Sequence, residues 1–386
     1  MMPDTPIYLD CASTTPLDPR VREGMLPYLD GEFGNAGSRT HDWGRRARTA
    51  VEQARDRIAG IVASSRGDII FTSGATESNN LAILGLAAGV SGHPHIISTS
   101  IEHHAVLEPL AALGRRGLDA TLVNPGPDGV IDVADIVAAL RPDTVLVSVM
   151  HVNNETGVIL PIAEIAEALH GSNAYLHVDA AQSFARVLEP LRHPRIDLIS
   201  LSAHKINGPK GIGALVMRRR NGERPPLQAL MFGGGQERGL RPGTMPVALT
   251  VGLGLAAELA VAEADARAAR CGAFRNSLLR GLAPLEPVVN GDLRKTVPYI
   301  INLAFPGLDA EVAMDAWQDL VAIAHGAACA SQSYTCSHVL SAMQLPEWRK
   351  DGALRFSWNA GTPEPDWAAL VDAVLPLRDR RNVSAS

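Results

Sequence analysis

The sequence predicts an α/β protein with a large domain on a seven-stranded, mostly parallel sheet and a smaller α/β C-terminal domain. Two observations carry this. Between about 69 and 217, seven short apolar, β-branched runs stand out, with helix-spaced segments between several of them. After about 218 the pattern changes to a Gly/Pro-rich stretch and then a long Ala-rich region.

The seven runs are Ile69–Thr72, His95–Thr99, Ala120–Asn124, Thr144–Met150, Tyr175–Asp179, Leu198–Ala203 and Gly213–Met217. Near-continuous apolar runs of this length suit strands buried on both faces. Ahead of the first, Ala47, Ala50, Val51, Ala54, Ile58, Ile61 and Val62 fall at helix spacing. Asn80 to about Gly89, Asp132–Leu140 and Glu164–His170 also read as helices. This alternation implies parallel strands joined by crossover helices. Pro225-Pro226 and Gly233-Gly234-Gly235 then break the pattern. Val247 to about Leu282 reads as a long helix bridging to the second domain, which runs to about 378.

Composition excludes several classes. With 46% hydrophobic and 20% charged residues over 386 positions, the chain can bury a large core and is not a disordered one. Thirty-five basic against forty-one acidic residues leave a net −6, which argues against direct nucleic-acid binding. Cys11, Cys271, Cys329 and Cys336 are too few for a disulfide scaffold and have no zinc spacing. The opening Met-Met-Pro-Asp-Thr-Pro lacks the features of a signal peptide. The stretch 245–262 contains Pro246, Thr250 and Glu258, which suits a buried helix better than a membrane span. A cytoplasmic location away from membranes is the expectation.

In an open α/β sheet, ligands bind beyond the carboxyl ends of the strands. After the first run comes Thr72-Ser73-Gly74-Ala75-Thr76-Glu77-Ser78, a glycine turn entering a helix. Such an N-terminus suits a phosphate, or it is simply a capped helix. Asp179 ends the fifth run, where an acid can be a cap, a metal ligand or a partner for a ring nitrogen. Ser202-Ala203-His204-Lys205 ends the sixth, and a desolvated lysine there is a better nucleophile toward an aldehyde than a solvated one. Phosphate site, acid and lysine at three strand ends form the set that pyridoxal phosphate needs. His103, after the second run, can stack on a flat cofactor or sit in a surface loop. Cys329 lies among small residues in His325–Ser331, where it is either a thiolate nucleophile or an inert buried thiol. Cys11 and Cys271 lack such a setting and read as structural. Arg355, in Ala353-Leu354-Arg355-Phe356-Ser357, can hold a carboxylate or make a surface salt bridge.

Together these segments resemble the class V, fold-type I pyridoxal-phosphate transferases, and within them the cysteine desulfurases of the NifS/IscS type. The resemblance runs from Tyr8 to about Leu375. Its markers are 72–80, Glu102–Val106, His151–Gly157, His177–Gln182, Ser202–Gly211 and Gly233–Gly239. It implies a large cofactor-binding domain over 16–259, a small domain from 1–15 and 260–378, and a flexible tail over 379–386. It implies that Lys205 carries the cofactor covalently, Asp179 pairs with the pyridinium nitrogen, and His103 stacks on the ring and moves protons. Gln182 would contact the phenolic oxygen. Ala75, Thr76, Ser202 and His204 would hold the phosphate. Thr244 would reach the phosphate of a neighbouring subunit, which implies a homodimer. Asn154 and Arg355 would bind the carboxylate of L-cysteine.

Cys329 aligns with the family's nucleophile, so the implied reaction turns L-cysteine into L-alanine and leaves a persulfide on Cys329. The long loop after Cys329 resembles the NifS/IscS group and implies delivery to a separate sulfur acceptor or scaffold protein. The chain departs from the family at Ala324-His325-Gly326-Ala327-Ala328-Cys329-Ala330, where hydroxyls are lost and a histidine gained. Cys336 replaces a loop proline, and exchange with the Cys329 persulfide is one role for it. The wording of 333–340, with Gly37–His41, resembles the desulfurases of DNA phosphorothioation systems. Iron–sulfur assembly and tRNA thiolation are the other destinations for the sulfur. Selenocysteine lyase, another class V activity and a non-catalytic sulfur-assembly scaffold are the competing readings.

Overall fold

The computed structural model describes residues 5–92, 94–325 and 337–378. The chain opens with β1 (Ile7–Tyr8), α1 (Pro19–Leu29) and α2 (Asp42–Ile61). Strands and helices then alternate through β2 (Ile69–Thr72), α3 (Ala75–Gly89), β3 (His95–Thr99), α4 (His104–Gly114), β4 (Asp119–Val123) and α5 (Val133–Ala138). The alternation continues with β5 (Thr144–Met150), α6 (Ile162–Ala168), β6 (Tyr175–Asp179), β7 (Leu198–Ser202) and β8 (Gly213–Met217). Next come α7 (Val247–Ala262), α8 (Ala264–Gly281), β9 (Val288–Val289), β10 (Ile300–Ala304), α9 (Ala310–Trp317), β11 (Val321–Ala322) and β12 (Ala324–His325). The chain finishes with α10 (His338–Ala342), α11 (Glu347–Asp351), β13 (Ala353–Ser357) and α12 (Trp367–Val374).

Strands β2 to β8 form one sheet in the order β2-β8-β7-β6-β5-β3-β4. Only β8 is antiparallel, to both β2 and β7. Two reversals cancel, so β2 runs with β7, and its carboxyl end lies on the same sheet edge. Six of the seven expected runs begin where their strands begin. The seventh, β4, starts one residue early at Asp119 and is largely exposed, as an outer strand can be. One face of the sheet packs on α2, α6 and α7, and the other on α3 and α4. Burial on both faces is why these strands read as apolar runs without alternation.

A second sheet, β12-β13-β10-β9, is antiparallel. Trp317, Trp358, Phe305 and Phe356 fill its core. Leu9 and Ala12 from the start of the chain belong to that core. There β1 pairs in parallel with β11, and Asp10 bridges Ser357.

The expectation of one continuous helix from Val247 to about Leu282 is corrected. Two helices, α7 and α8, meet at 72°. The break is at Glu263, which has non-helical backbone angles (φ −109°, ψ 11°). Its carboxylate accepts from Arg20 Nη1 (2.5 Å) and from Arg267 Nη2 (2.8 Å), which fixes the corner. The two helices also differ in kind. α7 is buried nearly all round, with Gly254 so close to Ala54 that a Cβ would lie 2.9 Å from its Cα. α8 buries only Cys271, Phe274 and Leu278, on the second core. Among the described residues no single helix is long and apolar enough to cross a membrane.

Candidate active site

A cavity of about 540 Å³ opens at the carboxyl edge of the large sheet, where the sequence places its chemistry. Register builds its floor. Gly213 pairs with both Thr72 and Ser202, so the turn after β2 lies beside the end of β7. Only glycine fits there, because a Cβ would lie 2.6 Å from Gly74 Cα and 2.4 Å from Leu201 O. The turn delivers Ala75 and Thr76 to the cavity at the first turn of the 15-residue helix α3. Its unpaired N–H groups and positive dipole end face a site that Ser202 and His204 also line.

Asp179 ends β6 and is 6% exposed. Its Oδ2 accepts from Asn79 Nδ2 (2.7 Å) and its Oδ1 from the Ala181 N–H (2.9 Å). Two donors hold the carboxylate in one orientation. Asn79 lies four residues after Ala75, one turn along the same helix face. That spacing was the available signal for a partner that reading the strand ends alone misses.

Lys205 closes a 3-10 turn just past β7 and is half-buried. Its Nζ donates to the carbonyls of Ala12 and Ser13 (2.9 Å to Ser13). His204 Nδ1 lies 3.1 Å from Thr14 Oγ1. Burial, with Lys205 and Lys210 adding to it, pushes the His204 imidazole down to about 4, so it is neutral near pH 7. His103 caps α4, with Nδ1 accepting the Ala105 N–H at 3.0 Å. Burial lowers its pKa, against the opposing pull of Asp179. With Nδ1 occupied as an acceptor, the neutral ring carries its proton on Nε2. His103 is therefore a half-buried cap lining the cavity and not a surface-loop histidine.

Gln182 Nε2 donates to Ala12 O (2.8 Å), while its Oε1 is buried without a partner. Two side chains that sequence reading missed fix this floor from behind. Tyr299 donates its hydroxyl to Gln182 O (2.8 Å). Arg186 donates to Lys205 O and stacks over the Tyr299 ring at 4.5 Å. No local pattern marks either, because their partners are main-chain carbonyls distant in sequence.

Arg355 is 1% exposed and is no surface salt bridge. Nη2 donates to Asp10 Oδ1 (2.7 Å) and Ser13 Oγ (2.8 Å), and Nη1 donates to Asn154 O (3.1 Å). Its Nε is buried and unpaired. Asn154 and Arg355 line the same cavity. Thr244 does not line it and is exposed on the surface. Cys11 and Cys271 are buried, and burial pushes each thiol up to about 11, so neither is a ready nucleophile. Cys329 and Cys336 lie outside the described residues.

The family model for class-V aminotransferases matches residues 7–366. The chain belongs to that family. Among curated relatives, the cysteine desulfurase IscS of Anaeromyxobacter dehalogenans is 46% identical over 364 residues, 94% of this chain and 89% of that protein. IscS of Vibrio cholerae is 45% identical over 379 residues, 97% of this chain and 93% of that protein. Among solved structures, DndA from Streptomyces lividans is 51% identical with a TM-score of 0.80, covering 91% of this chain and 99% of that one. A NifS-like protein matches with a TM-score of 0.87 at 32% identity, over 97% of this chain and 99% of that one. SspA, solved in complex with cysteine, is 35% identical with a TM-score of 0.81 over 91% and 98% of the two chains. The fold is thus that of the NifS-like, fold-type I enzymes, and the family is one that depends on pyridoxal phosphate.

Proposed function

We propose that this chain is a pyridoxal-phosphate-dependent cysteine desulfurase, converting L-cysteine to L-alanine and leaving the sulfur as a persulfide on Cys329. The observation that carries the reading is one cavity of a class-V fold lined by Lys205, Asp179, His103, the α3 N-terminus and Arg355. The identities to IscS and DndA support it.

The donor set fits the cofactor. Lys205 offers an amine for its aldehyde, and Asp179 a fixed anion for its ring nitrogen. Ala75, Thr76, Ser202 and His204 offer donors for its phosphate, with His204 neutral. Gln182 lines the cavity and has one buried amide oxygen without a partner. When bound, the cofactor supplies an electron sink that weakens the bond between the cysteine Cβ and its sulfur. The protein's own groups do the rest. Arg355 and Asn154 take the substrate carboxylate, and His103 carries a proton on its free nitrogen. The Cys329 thiolate forms the new sulfur–sulfur bond while the Cβ–sulfur bond breaks. The electron pair stays on carbon, which a proton then converts to the methyl group of alanine. Ala324 pairs with Arg355 across β12 and β13. Cys329 follows His325 by four residues in the sequence.

A homodimer is part of this reading. Phe232 is 90% exposed beside Leu230 and Met231, and Leu29 and Phe33 are also exposed. Apolar groups so placed suit a second copy of the chain. Thr244 follows that segment and in such a dimer would complete the partner's phosphate site. For the sulfur acceptor, the wording of 333–340 and the 51% identity to DndA favour a DNA phosphorothioation system. Enrichment of iron–sulfur scaffold proteins alone on co-purification would count against that destination.

The test is alanine and sulfide release from L-cysteine with a reductant, beside Cys329→Ala. Equal amounts of both products, with turnover lost in the variant by at least about 10³-fold, are expected. A cofactor-loaded protein that releases neither product would overturn the reading in favour of selenocysteine or another substrate. Because burial lowers the His103 pKa, its neutral form persists below the ordinary value of 6.5. The acid limb of the kcat profile due to His103 is therefore expected below pH 6.5, and absent in His103→Gln. An unchanged limb in the variant would remove His103 from the proton transfers.

A further inference from the structure

A second cavity, of about 460 Å³, lies between the core of the large sheet and the second core. Ala185 and Ala260 line it from the first core, and Cys271, Tyr299 and Trp358 from the other. A space of this size at such a junction suits a small molecule. No described residue lines both this cavity and the one holding Lys205. Two of its lining side chains nevertheless reach across to that site. Arg186 donates to Lys205 O, and Tyr299 donates to Gln182 O at 2.8 Å.

The walls are largely apolar, with Leu17, Val187 and Ala268 beside the two aromatic rings. Cys11 and Cys271 face it as neutral thiols and add no negative charge. Its charged lining is Arg186, Arg267, Arg270, Asp18 and Glu263. Both acids are already neutralised. Asp18 accepts from Arg20 Nη2 (2.7 Å) and lies 3.6 Å from Arg267 Nη2. Glu263 is shared between the same two arginines. Arg186 and Arg270, in contrast, make no ion pair among the described residues, and Arg270 makes no hydrogen bond there either. The Arg186 guanidinium is half-buried, with Lys205 O and the Tyr299 side chain as its described partners. A cation taken partly out of water without an anion has lost solvation that nothing returns. Asn359 Nδ2, also on the lining, donates only to the Cys11 thiol at 3.6 Å among the described residues. Three cations against two anions leave room for one negative charge. Apolar walls with spare guanidinium and amide donors match a carboxylate on an apolar body.

We propose that this cavity is a second binding site, for a small molecule with one carboxylate on an aromatic or branched apolar body. Its occupant would lie one hydrogen bond away from the main chain of Lys205 and of Gln182. The site stands whether or not the desulfurase reading holds, because its test reads binding alone.

The test is calorimetry on the cofactor-loaded protein with phenylbutyrate, beside phenylbutanol, which has the same body and no charge. The acid is expected to bind with a Kd of about 0.1–1 mM and the alcohol about tenfold more weakly. Arg270→Ala is expected to weaken the acid about tenfold and to leave the alcohol within about twofold. Ala268→Trp fills the cavity from the exposed side of α8 and is expected to weaken both at least about tenfold. No binding of the acid up to about 10 mM would overturn the proposal, as would equal affinities for acid and alcohol. Acid binding unchanged in both variants would put the probe elsewhere, at Arg355 above all, and would overturn it too. If Ala268→Trp does not fold, Arg270→Ala decides, because Arg270 is exposed and its removal strands no described partner.

Discussion

Lys205→Ala is expected to lose cysteine-dependent alanine formation by at least about 10⁴-fold and to hold pyridoxal phosphate only loosely. No other side chain in the cavity can take over. Lys210, the second amine lining it, is exposed at the end of the Gly208–Gly211 turn. Lys205 is held from two sides, its Nζ by the Ala12 and Ser13 carbonyls and its own carbonyl by Arg186. Alanine leaves two main-chain acceptors facing the cavity, which water can satisfy, so the fold survives while the chemistry does not. Lys210→Ala, run beside it, is expected to keep most of the turnover. Visible absorbance reports the cofactor and alanine release reports the reaction. Retained turnover in Lys205→Ala would remove that residue from the mechanism.

Glu237→Ala is expected to cost about 3–5 kcal/mol of stability, read as a lower urea midpoint at constant slope. Arg55 and Glu237 form a buried pair, each side chain 5% exposed. The guanidinium makes a double contact, Nη2 to Oε1 at 2.7 Å and Nη1 to Oε2 at 2.8 Å. It also donates to Ile69 O (2.7 Å) and lies over the Phe71 ring at 4.6 Å. Oε2 additionally accepts the Phe71 N–H at 2.7 Å, so the acid covers an amide on the open edge of β2. Removing it leaves the buried cation with only the partly exposed Glu52, 3.2 Å from Nε, as a carboxylate partner, and leaves the edge amide unpaired. Glu237→Gln keeps an acceptor for Phe71 and is expected to fall between. A loss under about 1 kcal/mol for the alanine variant would mean that water enters and solvates Arg55.

The large sheet was legible because its strands are apolar on both faces and end on polar residues. Lys205, Asp179, His103 and the Ala75 turn sit at such ends, so pattern and position pointed to one edge. Less legible were the features that depend on distant partners. The corner at Glu263 is invisible until Arg20 is brought beside it, and an Ala-rich run otherwise reads as a single helix. Arg355 reads as a strand residue, but its environment is set by Asp10 and Ser13, some 340 residues earlier. Glu155 lies in the marker segment His151–Gly157 with no role of its own there, and only packing shows that it accepts from Ser337. Thr244 lies apart from the cavity within one chain, so its proposed role waits on a second copy.

Residues 9–13 are thus made long before they find their place. Leu9 and Ala12 pack in a core supplied by residues 271–374, and Asp10 waits for Arg355. Ala12 and Ser13 form one wall of the Lys205 site. At ribosomal speeds of about 5–20 residues per second, that wall lacks its support for on the order of tens of seconds. The large sheet can form in that time, but its site stays open on one side. Under the proposed function, cofactor capture is therefore expected only after the residues through Ser357 have been made. A chain truncated between Met217 and Ser357 would keep the sheet and the lysine but lack the enclosure around them.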